Sequence, residues 1–216
     1  MCDTLRVQWT IIPRTAPQPW IACSGCGGLR AFQSSDKIRL NANGRKLDAW
    51  LIYRCLSCDK TWNRPIFERQ NVRDIAPAVL EALQSNDPLW IRAETFNIEA
   101  LRRKSQRVDE FPEFDIEKAI MGAPPDWTRL DCTRAEIDLA APFLTSIRLD
   151  RLLASELGLS RSRLQALHDG GALRANPDRT DILRRRVKNG TRVVIDLCTG
   201  IDRERLWEPF MASSSP

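Results

Sequence analysis

The sequence has 216 residues, enough for one domain or two small ones, and 43% hydrophobic residues are ample for a core. No apolar run approaches a membrane span, and the start MCDTLRVQWT lacks the charged-then-apolar pattern of a signal peptide. The formal charge is +5, from 33 Lys and Arg against 28 Asp and Glu. Seven cysteines without any sign of secretion point to reduced thiols, so the expected setting is cytoplasmic, with no membrane partner.

In chain order, Leu5, Val7, Trp9 and Ile11 alternate and predict an opening strand, expected to join the sheet that follows it. A proline-broken stretch then leads to Cys23-Ser-Gly-Cys26, and a matching Cys55-Leu-Ser-Cys58 follows after 28 residues. Each pair can offer two thiolates to one metal, and two such knuckles complete a tetrahedron. Between them, Ile38 and Leu40 suggest a strand, Asn43-Gly44 a hairpin turn, and residues 47–53 a second strand. That hairpin would bring the knuckles together, as in a zinc ribbon. Four sulfurs favour Zn2+, with iron a weaker occupant. A disulfide pairing would need an oxidising compartment, and a redox Cys-x-x-Cys would need only one pair. The closed ligand set would be structural. Trp50 and Trp62 flank the second knuckle and are expected to pack this domain. Arg39, Arg45, Lys46 and Arg54 read as a solvated face that could also touch phosphate. Cys2, Cys132 and Cys198 are isolated and carry no assigned chemistry.

Residues 73–107 turn helical, with Ile75, Val79, Leu80 and Leu83 on one face and a break at Asp87-Pro88 before a second helix. The Arg102-Arg103-Lys104 cluster complements that helix's C-terminal dipole. Residues 111–126, with Pro112, Pro124 and Pro125, read as a connector, and residues 126–144 as a strand and a short helix.

Residues 148–197 hold 11 Lys and Arg against 6 Asp and Glu, a net +5 that equals the charge of the whole chain. Such a basic module suits phosphate-rich partners. Leu149, Leu152, Leu153 and Leu157 form one helical face, ended by Gly158. Ser160 is the N-cap of a second helix, with Leu164 and Leu167 inward and Gly170-Gly171 as its stop. Arg161 and Arg163 fall in that helix's first turn, where the dipole disfavours positive charge, so a partner accounts for them better than stability does. Asn189-Gly190 reads as a turn before a strand at 192–197. The tail, residues 212–216, reads as disordered.

The order Arg-Leu-Asp (148–150), Leu-Leu, Leu-Gly, Ser-Arg-Ser (160–162) and Arg-Val-Lys-Asn-Gly (186–190) resembles the RNA-binding domain named after ribosomal protein S-four. The resemblance implies two helices forming an RNA-facing surface. It carries over to Arg148, Ser160, Arg161, Ser162 and Lys188; Arg151, Arg163, Arg184, Arg185, Arg186 and Arg192 complete the expected RNA contacts. The chain departs from that family at Ala175-Asn176-Pro177-Asp178, where a Val-Asn-Gly turn is usual. Residues 154–167 also resemble a DNA-binding helix-turn-helix, though that motif does not require the closing strand.

CSGCG (23–27), IRLNANGRKLDAWLIYRCLSCDKTWN (38–63) and IFER (66–69) resemble the bacterial family known as domain of unknown function 1062. It implies the four-cysteine site and no established activity. The single histidine, His168, leaves no Ser-His-Asp or Cys-His arrangement elsewhere, and no phosphate-binding glycine motif is present. Asp109-Glu110, Glu113 and Asp115 read as solvated charge. Nothing demands catalysis.

The reading is an α+β chain: a zinc-ribbon-like antiparallel sheet (1–70), a helical segment (71–110), a connector (111–145), a small α/β RNA-binding-like module (146–199) and a tail (200–216). The partner expected is structured RNA, such as rRNA or tRNA. Duplex DNA or a protein is the alternative.

Overall fold

The computed structural model describes residues 4–121, 133–143 and 145–196. The chain forms two compact units, one of Met1–Arg14 with Pro112–Pro216 and one of Thr15–Phe111 inserted within it. The segment limits expected at residues 70 and 145 therefore fall inside compact units.

Strand β1 (Thr4–Pro13) alternates as its sequence requires, with Leu5, Val7, Trp9 and Ile11 all buried. Its partners differ from the expectation. It does not join the cysteine sheet, but pairs antiparallel with Phe114–Met121 and parallel with Arg134–Ala140. Alternation reveals a half-buried strand and says nothing about which strand lies beside it.

The inserted unit begins with β2 (Gln18–Cys23), then β3 (Gly28–Asn43), β4 (Lys46–Cys55) and β5 (Thr61–Asn71). Gly44, at φ +61°, makes the β3–β4 turn that Asn-Gly predicts. Helices α1 (Pro77–Ser85), α2 (Pro88–Thr95) and α3 (Ile98–Lys104) follow, then β6 (Arg107–Asp109). The break at Asp87-Pro88 is present, with Asp87 accepting the Trp90 N–H at 2.7 Å. A second break escaped the sequence reading: Asn97 caps α3 by accepting the Ala100 N–H. All strands lie in one sheet, ordered β5-β4-β3-β2-β6. Ile91 of α2 and Leu101 of α3 pack on Phe32, Leu51 and Tyr53, so these helices cover one face of that sheet. Arg64, 1% exposed, donates to the Glu94 carboxylate at 2.7 Å and to the Glu94 carbonyl, tying β5 to α2. Removing one member of such a buried pair costs about 3–5 kcal/mol.

The flanking unit adds β7 (Phe114–Met121), β8 (Arg134–Ala140), α4 (Leu149–Leu157), α5 (Arg161–Asp169), β9 (Leu173–Asn176) and β10 (Thr191–Asp196). The expected connector is thus corrected, because residues 114–121 are a strand. Its partly buried positions are Phe114, Ile116 and Lys118. Lys118 breaks the apolar alternation and hides the strand. In place it reaches Glu156 at 2.7 Å and lies over the Trp9 ring. The strand expected in 126–144 is β8, while no helix occurs among the described residues there. The tail and Cys2, Cys132 and Cys198 lie outside the described residues.

The sheet order is β7-β1-β8-β10-β9. One face packs under α4 and α5, where Leu149, Leu152, Leu153, Leu157 and Leu164 are all 1% exposed or less. Each buried leucine contributes roughly 1.5–3 kcal/mol. Gly158, at φ +63°, ends α4, and the Ser160 hydroxyl caps α5 by accepting the Arg163 N–H at 3.1 Å, both as the sequence predicts. Among the described residues no helix is long and apolar enough to cross a membrane.

Candidate metal centre and basic surface

Cys23 ends β2 and Cys55 ends β4, on either side of β3. Register places Cys23 opposite Gly28 and Cys55 opposite Phe32, so both strands stop at the same end of the sheet. Each then turns through an equivalent knuckle. The Gly27 N–H donates to the Cys23 carbonyl at 2.9 Å, and the Asp59 N–H to the Cys55 carbonyl at 3.0 Å. Gly27 and Asp59 both take the left-handed conformation, at φ +68° and +58°. Within the site Gly25 is sterically required, since a Cβ there would sit 2.8 Å from Lys60 Cγ and 3.0 Å from Cys58 Sγ.

The four sulfurs lie within 4.8 Å of one another, close enough to bind a metal. Cys23 and Cys58 Sγ are 3.4 Å apart, and Cys26 and Cys55 Sγ 3.9 Å. A tetrahedron with metal–sulfur bonds of about 2.3 Å has edges of about 3.8 Å, so the donor set fits. No cysteine of the four is in a disulfide.

Crowding sets the thiols apart electrostatically. Burial opposes ionisation of Cys23. Hydrogen bonds from the Cys26 N–H, the Cys58 thiol and the Gly25 N–H nevertheless carry its pKa down to about 7. Cys26 is pushed up to about 12, first by its hydrogen bond with Cys58 and then by burial. A cation among four sulfurs would draw off the remaining protons, so metal affinity rises with pH.

Cys23 and Cys55 are themselves part of the unit's core. Trp62 packs there edge-on to Phe32 and tilted against Tyr53, as expected. Trp50 is placed differently. It alternates with Leu51 and lies on the opposite face, with the Arg39 guanidinium 5.8 Å from its ring centre. Arg39, Arg45, Lys46 and Arg54 are all exposed.

In the flanking unit every expected basic contact is exposed, but the residues separate into groups. Arg161 and Arg163 stand at the first turn of α5, which holds no acidic residue, and Arg151 projects from α4. The 184–188 segment is stitched to the start of α4 by Leu149 N–H to Arg185 O and Val187 N–H to Ile147 O, both at 2.9 Å. Arg148, Arg185 and Arg186 are thereby brought together. Arg148 is engaged by the buried Asp150 at 2.6 Å, and Arg185 by Asp181 at 2.7 Å. Arg192 alternates with the buried Val193 and Ile195, so the sheet separates it from both helices. It pairs with Glu136 and Asp138, each at 2.7 Å. His168 is half-buried, with Nδ1 3.1 Å from the Leu173 carbonyl, a tie between α5 and β9.

Folding also redistributes the charge. The inserted unit has 15 Lys and Arg against 11 Asp and Glu, a net +4, which leaves +1 for the flanking unit. Residues 148–197 remain basic, but acids from β7 and β8 join the same unit.

The profile of the family described as Protein of unknown function (DUF1062) matches residues 40–179, well over half of the sequence. The chain belongs to this family. The DUF1062 match takes in the second knuckle, α1 to α5 and β9, and begins after Cys23 and Cys26. No curated protein and no solved structure matches the chain.

Proposed function

We propose that the four cysteines hold a structural zinc ion and that the flanking unit binds folded RNA through the helix pair α4–α5. Zinc follows from the all-sulfur, closed tetrahedral donor set, which leaves no coordination position for a substrate. Bound, it would supply a crosslink between two strand ends. Cys23 and Cys55 would anchor it from the core, while Cys26 and Cys58 close it from outside.

The observation that carries the RNA reading is the first turn of α5. Arg161 and Arg163 are exposed at the end of a helix whose dipole disfavours them, and Ser160 fixes that turn by capping it. The antiparallel pairing of β9 and β10 beneath the helices also suits an S-four-like module. Phosphate contacts would come from Arg151, Arg161, Arg163, Arg184, Arg186 and Lys188, with the Ser162 hydroxyl as a hydrogen-bonding group. Ser160 has a structural duty as the cap, Arg148 and Arg185 offset nearby carboxylates, and Arg192 serves the opposite sheet face.

Duplex DNA is the second reading, because α4 and α5 are joined by the short turn Gly158-Leu159-Ser160, a length used by helix-turn-helix pairs. Anisotropy with a structured RNA hairpin and a DNA duplex of equal length, at two salt concentrations, decides between them. The expected result is preference for the hairpin and about tenfold weaker binding by Arg161→Ala with unchanged circular dichroism. Unchanged affinity in that variant removes α5 from the interface, and preference for the duplex favours the second reading.

A further inference from the structure

We propose that the inserted unit carries a separate binding site, a pocket beside Trp20 that takes an unpaired nucleotide of single-stranded RNA. Its base would lie against the indole and its phosphates on Arg103 and Lys104. The site is independent of the α4–α5 surface.

The pocket arises where a strand ladder stops. β2 pairs with β6 only from Gln18 to Trp20, because the chain leaving α3 turns through Ser105 and Gln106 before reaching Arg107. The open space left beside β2 has a volume of about 430 Å³ and is lined by Trp20, Ile21 and Ala22 of the strand and by Arg103 and Lys104 at the end of α3. That volume falls in the usual range for small-ligand sites.

The indole is held before any ligand arrives. Trp20 Nε1 donates to Asp109 at 2.8 Å, Arg107 donates to the same carboxylate at 2.7 Å, and the Arg107 guanidinium lies 5.0 Å from the Trp20 ring centre. Asp109 is thus neutralised, and Glu110 is engaged by Arg102 at 2.6 Å. Arg103 and Lys104 are exposed, and neither forms an ion pair with a described residue. The dipole of α3 accounts for cations in its last turn. It does not account for their lining one open depression together with a fixed tryptophan.

Aromatic rings with flanking cations are how single strands are bound without base pairing. Register continues the pattern beyond the pocket. Trp20 lies opposite Ala31, Gln33 opposite Arg54, and Arg39 opposite Trp50, so Trp20, Trp50 and Arg54 share the face turned away from α2 and α3. The net +4 of the unit suits a polyanion. An acidic extended peptide could instead add to the β2 edge, but it would have no use for the indole.

The test uses the full-length metal-loaded protein and a short fluorescein-labelled oligouridylate, which forms no duplex. The wild type should bind it with quenching of tryptophan fluorescence. Charge reversal at both exposed cations, R103E with K104E, should weaken binding by about tenfold or more and lower the salt slope by roughly 1.4, two single-strand phosphate contacts. Hairpin binding should persist in this variant, and Trp20→Leu should weaken binding and reduce the quenching. No binding of oligouridylate by the wild type, or equal binding by the charge-reversed variant, overturns the proposal. So does complete displacement of oligouridylate by a polyglutamate peptide at equal charge concentration, which would mark an acidic-peptide site. Oligouridylate binding without hairpin binding sinks the α4–α5 reading and leaves this one standing.

Discussion

The two units of this protein solve one problem in different ways. Each has a five-stranded sheet with helices packed on one face. Among the described residues of the flanking unit, 22 buried side chains, from Leu5 to Ile195, form one cluster. In the inserted unit the described cluster contains seven, two of them Cys23 and Cys55 of the four-cysteine cluster, with further buried side chains such as Leu83 and Ile98 outside it. A thin core can be made sufficient by a metal crosslink, because binding free energy then contributes directly to folding. The difference confines the four-cysteine cluster to one half of the molecule, so a metal held there would act on the stability of that half.

The largest effect should come from breaking that site. Cys55→Ser, or chelation of the wild type, should remove stoichiometric metal and open residues 15–111 to proteolysis. The flanking sheet should keep its protection. Elemental analysis with limited proteolysis reads both halves, and stoichiometric metal in the variant would refute the assigned ligand set. Next, Leu152→Ala should destabilise the flanking unit by about 2–5 kcal/mol in urea without changing metal content. Metal loss in that variant would mean the halves are not energetically distinct. The smallest effect is expected from Gly25→Ala, whose Cβ crowds Lys60 and Cys58. About 1–3 kcal/mol of strain should lower metal affinity about tenfold or more while the fold persists, measured by competition with a chromogenic chelator.

Local signals were legible in the sequence, and long-range ones were not. The knuckles, the Asn43-Gly44 turn, the Gly158 stop and the Ser160 cap depend on neighbours within a few residues, and each stands where its residues require. Strand β1 was legible as a strand, but its partners are more than a hundred residues away. Strand β7 was concealed by Lys118, whose charge is met by Glu156 on a helix far along the chain. Arg192 is instructive in another way. Its alternation with Val193 and Ile195 already placed it on the far side of the sheet, but counting charge along the segment obscured that. The Trp20–Asp109–Arg107 arrangement had no sequence signal, since 89 positions separate the indole from its acceptor.

The insertion of one unit into the other also orders events during synthesis. At the junction the Arg14 N–H donates to the Glu113 carbonyl at 3.1 Å, so the chain leaves and rejoins the flanking sheet at neighbouring points. Strand β1 emerges from the ribosome before both of its neighbours, which lie beyond the entire insert. Until they arrive, its apolar side has nothing to cover it. An insert that has already folded holds its own two ends together through the pairing of β2 with β6, shortening the search that β1 and β7 must make for each other. The speed with which the insert folds would then govern how long the apolar side of β1 stays exposed, and with it the fraction of new chains lost to aggregation.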